Sequence, residues 1–151
     1  DLGGDYTFRR VQADGRIYVP FGREATLSLR SRAGAATDEV PFQKAFALGG
    51  VGSVRAFDQN AFRGTHYLLG NAELTYYEVP ELGDLTLFAL ADAGWVGNSF
   101  DDALNRDEVI ASAGFGIGLD DRSLRFEVAW PVYGAPEGAG TSILFMITPS
   151  F

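Results

Sequence analysis

Apolar and polar residues alternate along most of this chain with a period of two residues. In residues 123–133, Arg125 and Glu127 lie on the polar face, and the apolar face carries the following side chains: Leu124, Phe126, Val128 and Trp130. A period of two places successive side chains on opposite faces of a β-strand, whereas a helix needs a period near 3.6. The pattern therefore limits the chain to an all-β fold whose strands have one apolar face and one polar face.

The alternation predicts seven antiparallel strands. They cover residues 6–20, 24–36, 67–79, 85–96, 108–120, 123–133 and 141–151. No apolar run approaches the roughly 20 residues that a membrane-spanning helix needs. No repeat or change of composition divides the chain, so residues 1–151 are predicted to belong to one domain. The pattern alone fits a soluble barrel or sandwich, such as a carrier of lipids or small molecules, and also a barrel with its apolar face in lipid.

The connections between the predicted strands alternate in length. The short ones are residues 21–23, 80–84 and 121–122, and the long ones are residues 37–66, 97–107 and 134–140. Outer-membrane barrels have short turns at the periplasmic end and longer loops at the outer end. This asymmetry favours a transmembrane β-barrel over a soluble one.

Composition excludes several functions. The formal net charge is −8, whereas a nucleic-acid-binding surface is basic, so no nucleic-acid partner is predicted. The sequence contains neither a serine–histidine–acid nor a cysteine–histidine arrangement, so we predict that the chain has no catalytic residues and is not an enzyme. No spaced ligand pattern for a metal is present either, and no cofactor is predicted.

The longest connection, residues 37–66, contains a glycine-rich segment with an arginine near its tip. The residues that define this motif are Gly49, Gly50, Val54, Arg55, Ala56 and Phe57. Together with Gly70, Asn71 and Glu73, which open the next strand, the segment resembles the sixth-loop signature of the BamA/TamA superfamily of outer-membrane β-barrels, also called the bacterial surface-antigen family. That family usually has glycine where this chain has Ala56.

The resemblance implies a fold and a location. The family's barrel has sixteen strands, and the predicted strands correspond to its last seven, so this chain is expected to be the C-terminal part of a barrel wall in the bacterial outer membrane. Bacterial single-chain barrels have an even number of strands. The missing strands are therefore expected from upstream residues or from another chain. The terminal Phe151 resembles the C-terminal assembly signal of outer-membrane proteins.

The resemblance also implies that the loop folds into the lumen and that its arginine meets acidic groups on the wall. That arginine is Arg55 here. Parity places Glu73 on the polar face of its strand, and Asp92 interrupts an otherwise apolar strand, where a carboxylate facing lipid would be costly. We therefore expect Arg55 to pair with Glu73, Asp92 or both.

A second charge pattern is independent of the resemblance. The polar faces of the first two predicted strands carry four arginines, namely Arg10, Arg16, Arg30 and Arg32. The next two strands carry Glu73 and Asp92. The sequence predicts a basic wall beside an acidic one, with residues 37–66 as a bridge between them. The alternative is that the lumen charges are scattered without order.

Two functions follow from the resemblance. The first is the membrane portion of an insertase or translocase, with membrane lipid, unfolded outer-membrane or secreted proteins and accessory lipoproteins as partners. The alternative is a passive outer-membrane anchor or secretion pore behind an upstream enzyme domain such as a patatin-like lipase. Tandem periplasmic repeats before Asp1 would favour the first, and a nucleophile elbow there would favour the second.

Overall fold

The computed structural model describes residues 8–37, 40–77, 85–104, 108–119, 124–135 and 140–147. These residues form the strands β1 Arg10–Phe21, β2 Ala25–Ala36, β3 Phe46–Leu48, β4 Phe62–Gly64, β5 His66–Tyr76, β6 Thr86–Gly97, β7 Val109–Leu119, β8 Leu124–Tyr133 and β9 Ser142–Ile147. Two short 3₁₀ helices cover Phe42–Lys44 and Phe100–Leu104. Within these ranges no helix has both the length and the apolar character that crossing a membrane requires.

Seven of the strands form one antiparallel sheet in the order β1-β2-β5-β6-β7-β8-β9. Each strand pairs with the next one along the chain, apart from the two short strands inside the long loop. The predicted all-β, seven-stranded antiparallel wall is confirmed. The first strand begins at Arg10, later than the predicted start at residue 6. Phe8 and Arg9 are described, but they do not belong to the hydrogen-bonded ladder between β1 and β2. The predicted signal Phe151 lies outside the described residues.

The sheet is an open wall. In the part of the chain that the structure describes, β1 and β9 are its two edges and do not pair with each other. An unpaired strand edge exposes a row of N–H and C=O groups, which is tolerated in a membrane only when another strand covers them. The origin of the covering strands, in upstream residues or in another chain, stays a prediction.

The two faces of the wall have the polarity of a membrane barrel. Phe115 is 57% exposed and Trp130 is 38% exposed on the outer face, whereas Asp92 and Glu127 on the inner face are 3% and 1% exposed. The four side chains predicted to face outward are exposed or half-buried: Leu124, Phe126, Val128 and Trp130. A soluble barrel would have the opposite polarity, so the expectation of a transmembrane wall is confirmed.

The long connection folds back against the inner face of this wall. Its strands β3 and β4 form an antiparallel hairpin, and both contact β6. The ring of Phe46 in β3 stacks on Tyr67 of β5 with the ring centroids 4.5 Å apart. The main apolar core therefore lies between the loop and the wall, and its buried members are Ala36, Phe46, Leu48, Val54, Ala56, Phe57, Tyr67, Leu69, Phe88, Leu90, Ile110 and Ala129.

A charged residue at the middle of the outer face should destabilise the barrel. We expect Phe115→Arg to lower the free energy of unfolding by about 2–4 kcal/mol in lipid, because the guanidinium would face hydrocarbon. Denaturant titration of the full-length protein in lipid vesicles measures this, with Phe115→Leu as the apolar control. Equal stability of the two variants would contradict the assignment of this face to lipid.

Candidate functional site

Two glycines reverse the chain at the end of the β3 strand. Gly49 and Gly50 have φ angles of 106° and 84°, a region that side-chain-bearing residues rarely adopt. A Cβ atom added to Gly49 would overlap the carbonyl oxygen of Asp58. The N–H of Gly49 donates to Ser53 Oγ at 3.1 Å, and the N–H of Gly50 donates to the carbonyl of Val54 at 3.1 Å. These bonds fix the course of the backbone just before Arg55.

The apolar residues beside Arg55 hold the loop against the wall. Val54 is fully buried, and Phe57 is 6% exposed. Phe57 also packs edge-on against Phe62 at a centroid distance of 5.6 Å. Ala56 is buried, and Asn60 is the sole non-glycine residue with a positive φ among those described. Alanine at the usual glycine position therefore causes no backbone strain.

A glycine on the wall makes room for the loop. A Cβ atom added to Gly94 of β6 would lie 2.8 Å from Leu48 Cδ1 and 3.2 Å from Val54 Cγ2. Carbon atoms pack at about 3.5–4.0 Å, so a side chain at this position would push the loop away from β6. The close approach of loop and wall thus depends on the absence of a side chain at residue 94.

The structure brings Arg55 together with both acidic residues singled out from the sequence. Arg55 Nε lies 3.3 Å from Asp92 Oδ2, and Arg55 Nη1 lies 3.7 Å from Glu73 Oε2. A third carboxylate, Glu127 of β8, has its Oε2 3.3 Å from Nη1. The side chain of Arg55 is only 11% exposed. The arginine therefore lies among three carboxylates in a site largely shielded from solvent.

Strand register surrounds Asp92 with hydrogen-bond donors. Asp92 of β6 lies directly opposite Asn71 of β5 on one side and Ser112 of β7 on the other. Its carboxylate accepts hydrogen bonds from Asn71 Nδ2 at 2.8 Å, from Ser112 Oγ at 3.2 Å and from the backbone N–H of Arg55 at 3.2 Å. Asn71 Nδ2 also donates to the carbonyl of Ser53 in the loop at 2.8 Å. A buried carboxylate with this many donors is stable as an anion only while they remain in place.

A second arginine joins the same cluster. Arg125 of β8 donates from Nη1 to Glu73 Oε1 at 3.2 Å, and its Nε donates to Glu127. Its guanidinium carbon lies 3.7 Å from the centroid of the Phe88 ring. We call the five charged side chains the lumen charge network; they are Arg55, Glu73, Asp92, Arg125 and Glu127. Its formal charge is −1, because three carboxylates face two guanidinium groups.

Arg125 and Glu127 were not predicted from the sequence as members of the site. Their place on the polar face of one strand was evident from the alternation. Nothing in the sequence showed that β8 and Arg55 meet, because that contact depends on the curvature of the wall and on the depth of the loop. The functional roles predicted for Arg55, Glu73 and Asp92 stay predictions.

The predicted basic wall also contains one acidic residue. Asp14 shares the inner face of β1 with Arg16, and its carboxylate pairs with Arg30 of β2 and lies 3.7 Å from Arg16 Nε. The prediction considered the arginines and omitted this aspartate, which alternation places on the same face. The other two arginines contact the loop: the guanidinium carbon of Arg10 lies 4.1 Å from the Phe46 ring centroid, and Arg32 donates to the carbonyl of Gly52.

The described residues contain no group of three or more histidine, aspartate or glutamate side chains placed to hold a metal ion. The absence of catalysis and of a cofactor stays a prediction from the sequence. The arrangement consists of a membrane-facing antiparallel wall and a loop that contacts its inner face through apolar packing and ion pairs. These features define a part of an outer-membrane β-barrel with an inward-folded loop.

The Omp85 superfamily domain matches residues 1–148. The chain belongs to the Omp85 superfamily, and the predicted family membership is confirmed. A comparison with curated proteins finds no match.

Two solved structures share the fold at low sequence identity. CdiB from Acinetobacter baumannii superposes with a TM-score of 0.69 and 17% identity, over 91% of this chain and 26% of that one. BamA from Haemophilus ducreyi, in a form lacking POTRA domains 1–3, gives a TM-score of 0.73 and 17% identity, over 95% of this chain and 35% of that one. The chain therefore spans between a quarter and about a third of the length of these proteins.

Removal of the loop arginine should destabilise the barrel. We expect Arg55→Ala to lower the free energy of unfolding by about 3–5 kcal/mol, because it leaves the buried carboxylate of Asp92 without its cation. Asp92→Asn should act by the same route, so the double variant should be no less stable than the poorer single variant. Denaturant unfolding of the full-length protein tests this, and strictly additive losses would show that the two residues act independently.

A methyl group on the wall should displace the loop. We expect Gly94→Ala to lower the free energy of unfolding by about 1–3 kcal/mol, because its Cβ would crowd Leu48 and Val54. The matched control is Gly70→Ala on the neighbouring strand, where an added Cβ meets no atom within 4 Å. Protease cleavage within residues 46–57 should increase in the first variant only. Equal cleavage of the two variants would argue against close packing of the loop on β6.

Proposed function

We propose that this chain is the membrane portion of an insertase or translocase for outer-membrane or secreted proteins in the bacterial outer membrane. Membership of the Omp85 superfamily and the likeness of fold to BamA and CdiB support this assignment. Unfolded outer-membrane or secreted proteins are its proposed substrates. Membrane lipid, the strands that complete the wall and accessory lipoproteins are its proposed partners.

The observation that carries the proposal is the position of Arg55 among three carboxylates of β5, β6 and β8. An arginine that is 11% exposed loses most of its hydration, and only several anionic partners with good geometry offset that loss. In our proposal these partners are the anchor that holds residues 37–66 inside the lumen. A loop so held fills the lumen on the inner face of the wall and leaves the edges of the sheet for other chains.

The proposed mechanism needs no cofactor. A strand edge offers backbone N–H and C=O groups, and an unfolded substrate strand satisfies them by adding to the sheet. In a membrane such groups have no water partners, so pairing with an incoming strand is strongly favoured over exposure to lipid. The β9 strand lies at one edge of the described sheet and is the proposed docking edge. The outer face meanwhile contacts lipid through exposed side chains such as Phe115 and Ile143.

An insertion assay tests the proposal. The full-length protein is reconstituted in lipid vesicles, and the folding of an unfolded outer-membrane protein into those vesicles is followed by its resistance to protease. We expect insertion to be faster than in protein-free vesicles, and Arg55→Ala to slow it by about tenfold at an equal amount of folded barrel. The control is Arg30→Ala, which removes a lumen arginine that pairs with Asp14 and not with the loop anchor.

The alternative function gives a different result in the same assay. A passive anchor or secretion pore behind an upstream enzyme domain would leave insertion at the rate of protein-free vesicles, whatever residue stands at position 55. That result would overturn the insertase proposal. Equal rates for Arg55→Ala and Arg30→Ala, with a clear wild-type activity, would instead refute the proposed role of the loop anchor.

A further inference from the structure

We propose that Arg125 is a second positioning residue, which links the anchored loop to the terminal β8–β9 hairpin so that the order of one depends on the order of the other. This inference rests on the proposed function, in which Arg55 anchors the loop in the lumen. It adds a residue outside the loop and outside the two strands that follow it.

Arg125 reaches across several strands. It lies on β8, and its partner Glu73 lies on β5, with β6 and β7 between them. Neighbouring strands are about 4.8 Å apart, so three spacings correspond to roughly 14 Å along the wall. Arg125 Nη1 nevertheless donates to Glu73 Oε1 at 3.2 Å. The two long side chains therefore converge above the inner face of β6 and β7.

Glycines on β7 clear the path for this contact. The residues on the inner face of β7 next to this contact are Gly114, Gly116 and Gly118. They have no side chains that would separate the inner-facing side chains of β8 from those of β6. A Cβ atom added to Gly116 would lie 2.5 Å from Phe88 Cζ. The Phe88 ring thus lies over the glycine, and the guanidinium of Arg125 lies 3.7 Å from the ring centroid. Cation–π stacking and two carboxylates together orient this guanidinium.

The two arginines share two carboxylates. Glu127 is contacted by Arg55 Nη1 at 3.3 Å and by Arg125, and Glu73 is contacted by Arg55 Nη1 at 3.7 Å and by Arg125. These four side chains form a closed ring of ion pairs. Without Arg125, Arg55 alone would face three carboxylates, one of which, Glu127, is 1% exposed. Repulsion among the carboxylates would then weaken the loop anchor itself.

The same two β8 residues lie in the paired part of the terminal hairpin. Arg125 is opposite Met146 of β9, and Glu127 is opposite Leu144. Within the described residues the β8–β9 ladder joins six residue pairs, whereas the β1–β2 ladder joins twelve. A short ladder opens at a lower free energy than a long one, so the side chains that orient β8 have most influence there. The ring of ion pairs therefore connects the loop to the β8–β9 ladder, which is the shortest ladder of the seven-stranded sheet among the described residues.

Regional hydrogen exchange of the full-length protein in lipid nanodiscs tests this coupling. We expect Arg125→Ala to speed exchange by at least about tenfold both in residues 46–57 of the loop and in Ser142–Ile147, with no change in the β1–β2 hairpin. Arg55→Ala should speed exchange in the same two regions, and the double variant should add little. The matched control Arg30→Ala should affect the β1–β2 hairpin alone, because Arg30 pairs with Asp14 there.

Arg125→Lys keeps the proposal testable if the alanine variant does not fold. Lysine retains the charge but lacks the planar guanidinium, whose several N–H groups can bind two carboxylates at once. We therefore expect a smaller increase in the exchange rate in the same two regions. Faster exchange in every region would assign Arg125 a general role in stability and overturn the inference. Loop exchange that responds to Arg55→Ala but not to Arg125→Ala would also overturn it, while leaving the proposed anchor intact. A loop that Arg55→Ala leaves protected would refute the anchor itself.

Discussion

In our proposal, the contact between Arg55 and Asp92 is the interaction on which the position of the long loop depends. The side chain of Asp92 is fully buried, and that of Arg55 is 11% exposed, so both charges have lost most of their water. Removing one of two desolvated partners leaves the other uncompensated, which is far more costly than losing a surface ion pair. Asn71 and Ser112, on the two neighbouring strands, donate hydrogen bonds to the carboxylate of Asp92. The loop is thereby bound to a site that the strand register has already built.

The proposed anchor lies next to the apolar packing between the loop and the wall. In a barrel of this kind the outer apolar face packs against lipid, so the wall by itself encloses no apolar core. The loop supplies one, because Leu48 and Val54 are fully buried against the inner face. Gly94 allows this close approach by leaving space on β6. Apolar packing and the lumen charge network therefore both contact the same part of the loop, residues 48–55.

The sequence predicted the wall better than it predicted the site. Alternation predicted the strands and the inner position of Glu73, because a period of two fixes the face on which each side chain lies. The inner position of Asp92 followed from the cost of a carboxylate facing lipid. It did not reveal the β3–β4 hairpin, whose strands of three residues are too short for a periodic signal. It also did not reveal that Glu127 meets Arg55, since that contact crosses intervening strands and depends on curvature and side-chain length. The inner position of Asp14, by contrast, could have been predicted, because alternation along β1 places it on the same face as Arg16.

Arg55 and Asp92 should be in direct contact in the membrane-embedded protein. Solid-state nuclear magnetic resonance can measure this in lipid bilayers, through the dipolar coupling between the labelled Arg55 guanidinium nitrogens and the Asp92 carboxyl carbon. We expect a measurable coupling, since Arg55 Nε lies 3.3 Å from Asp92 Oδ2, and the coupling should vanish in the Asp92→Ala protein. No detectable coupling in a folded wild-type barrel would show that Arg55 does not contact Asp92.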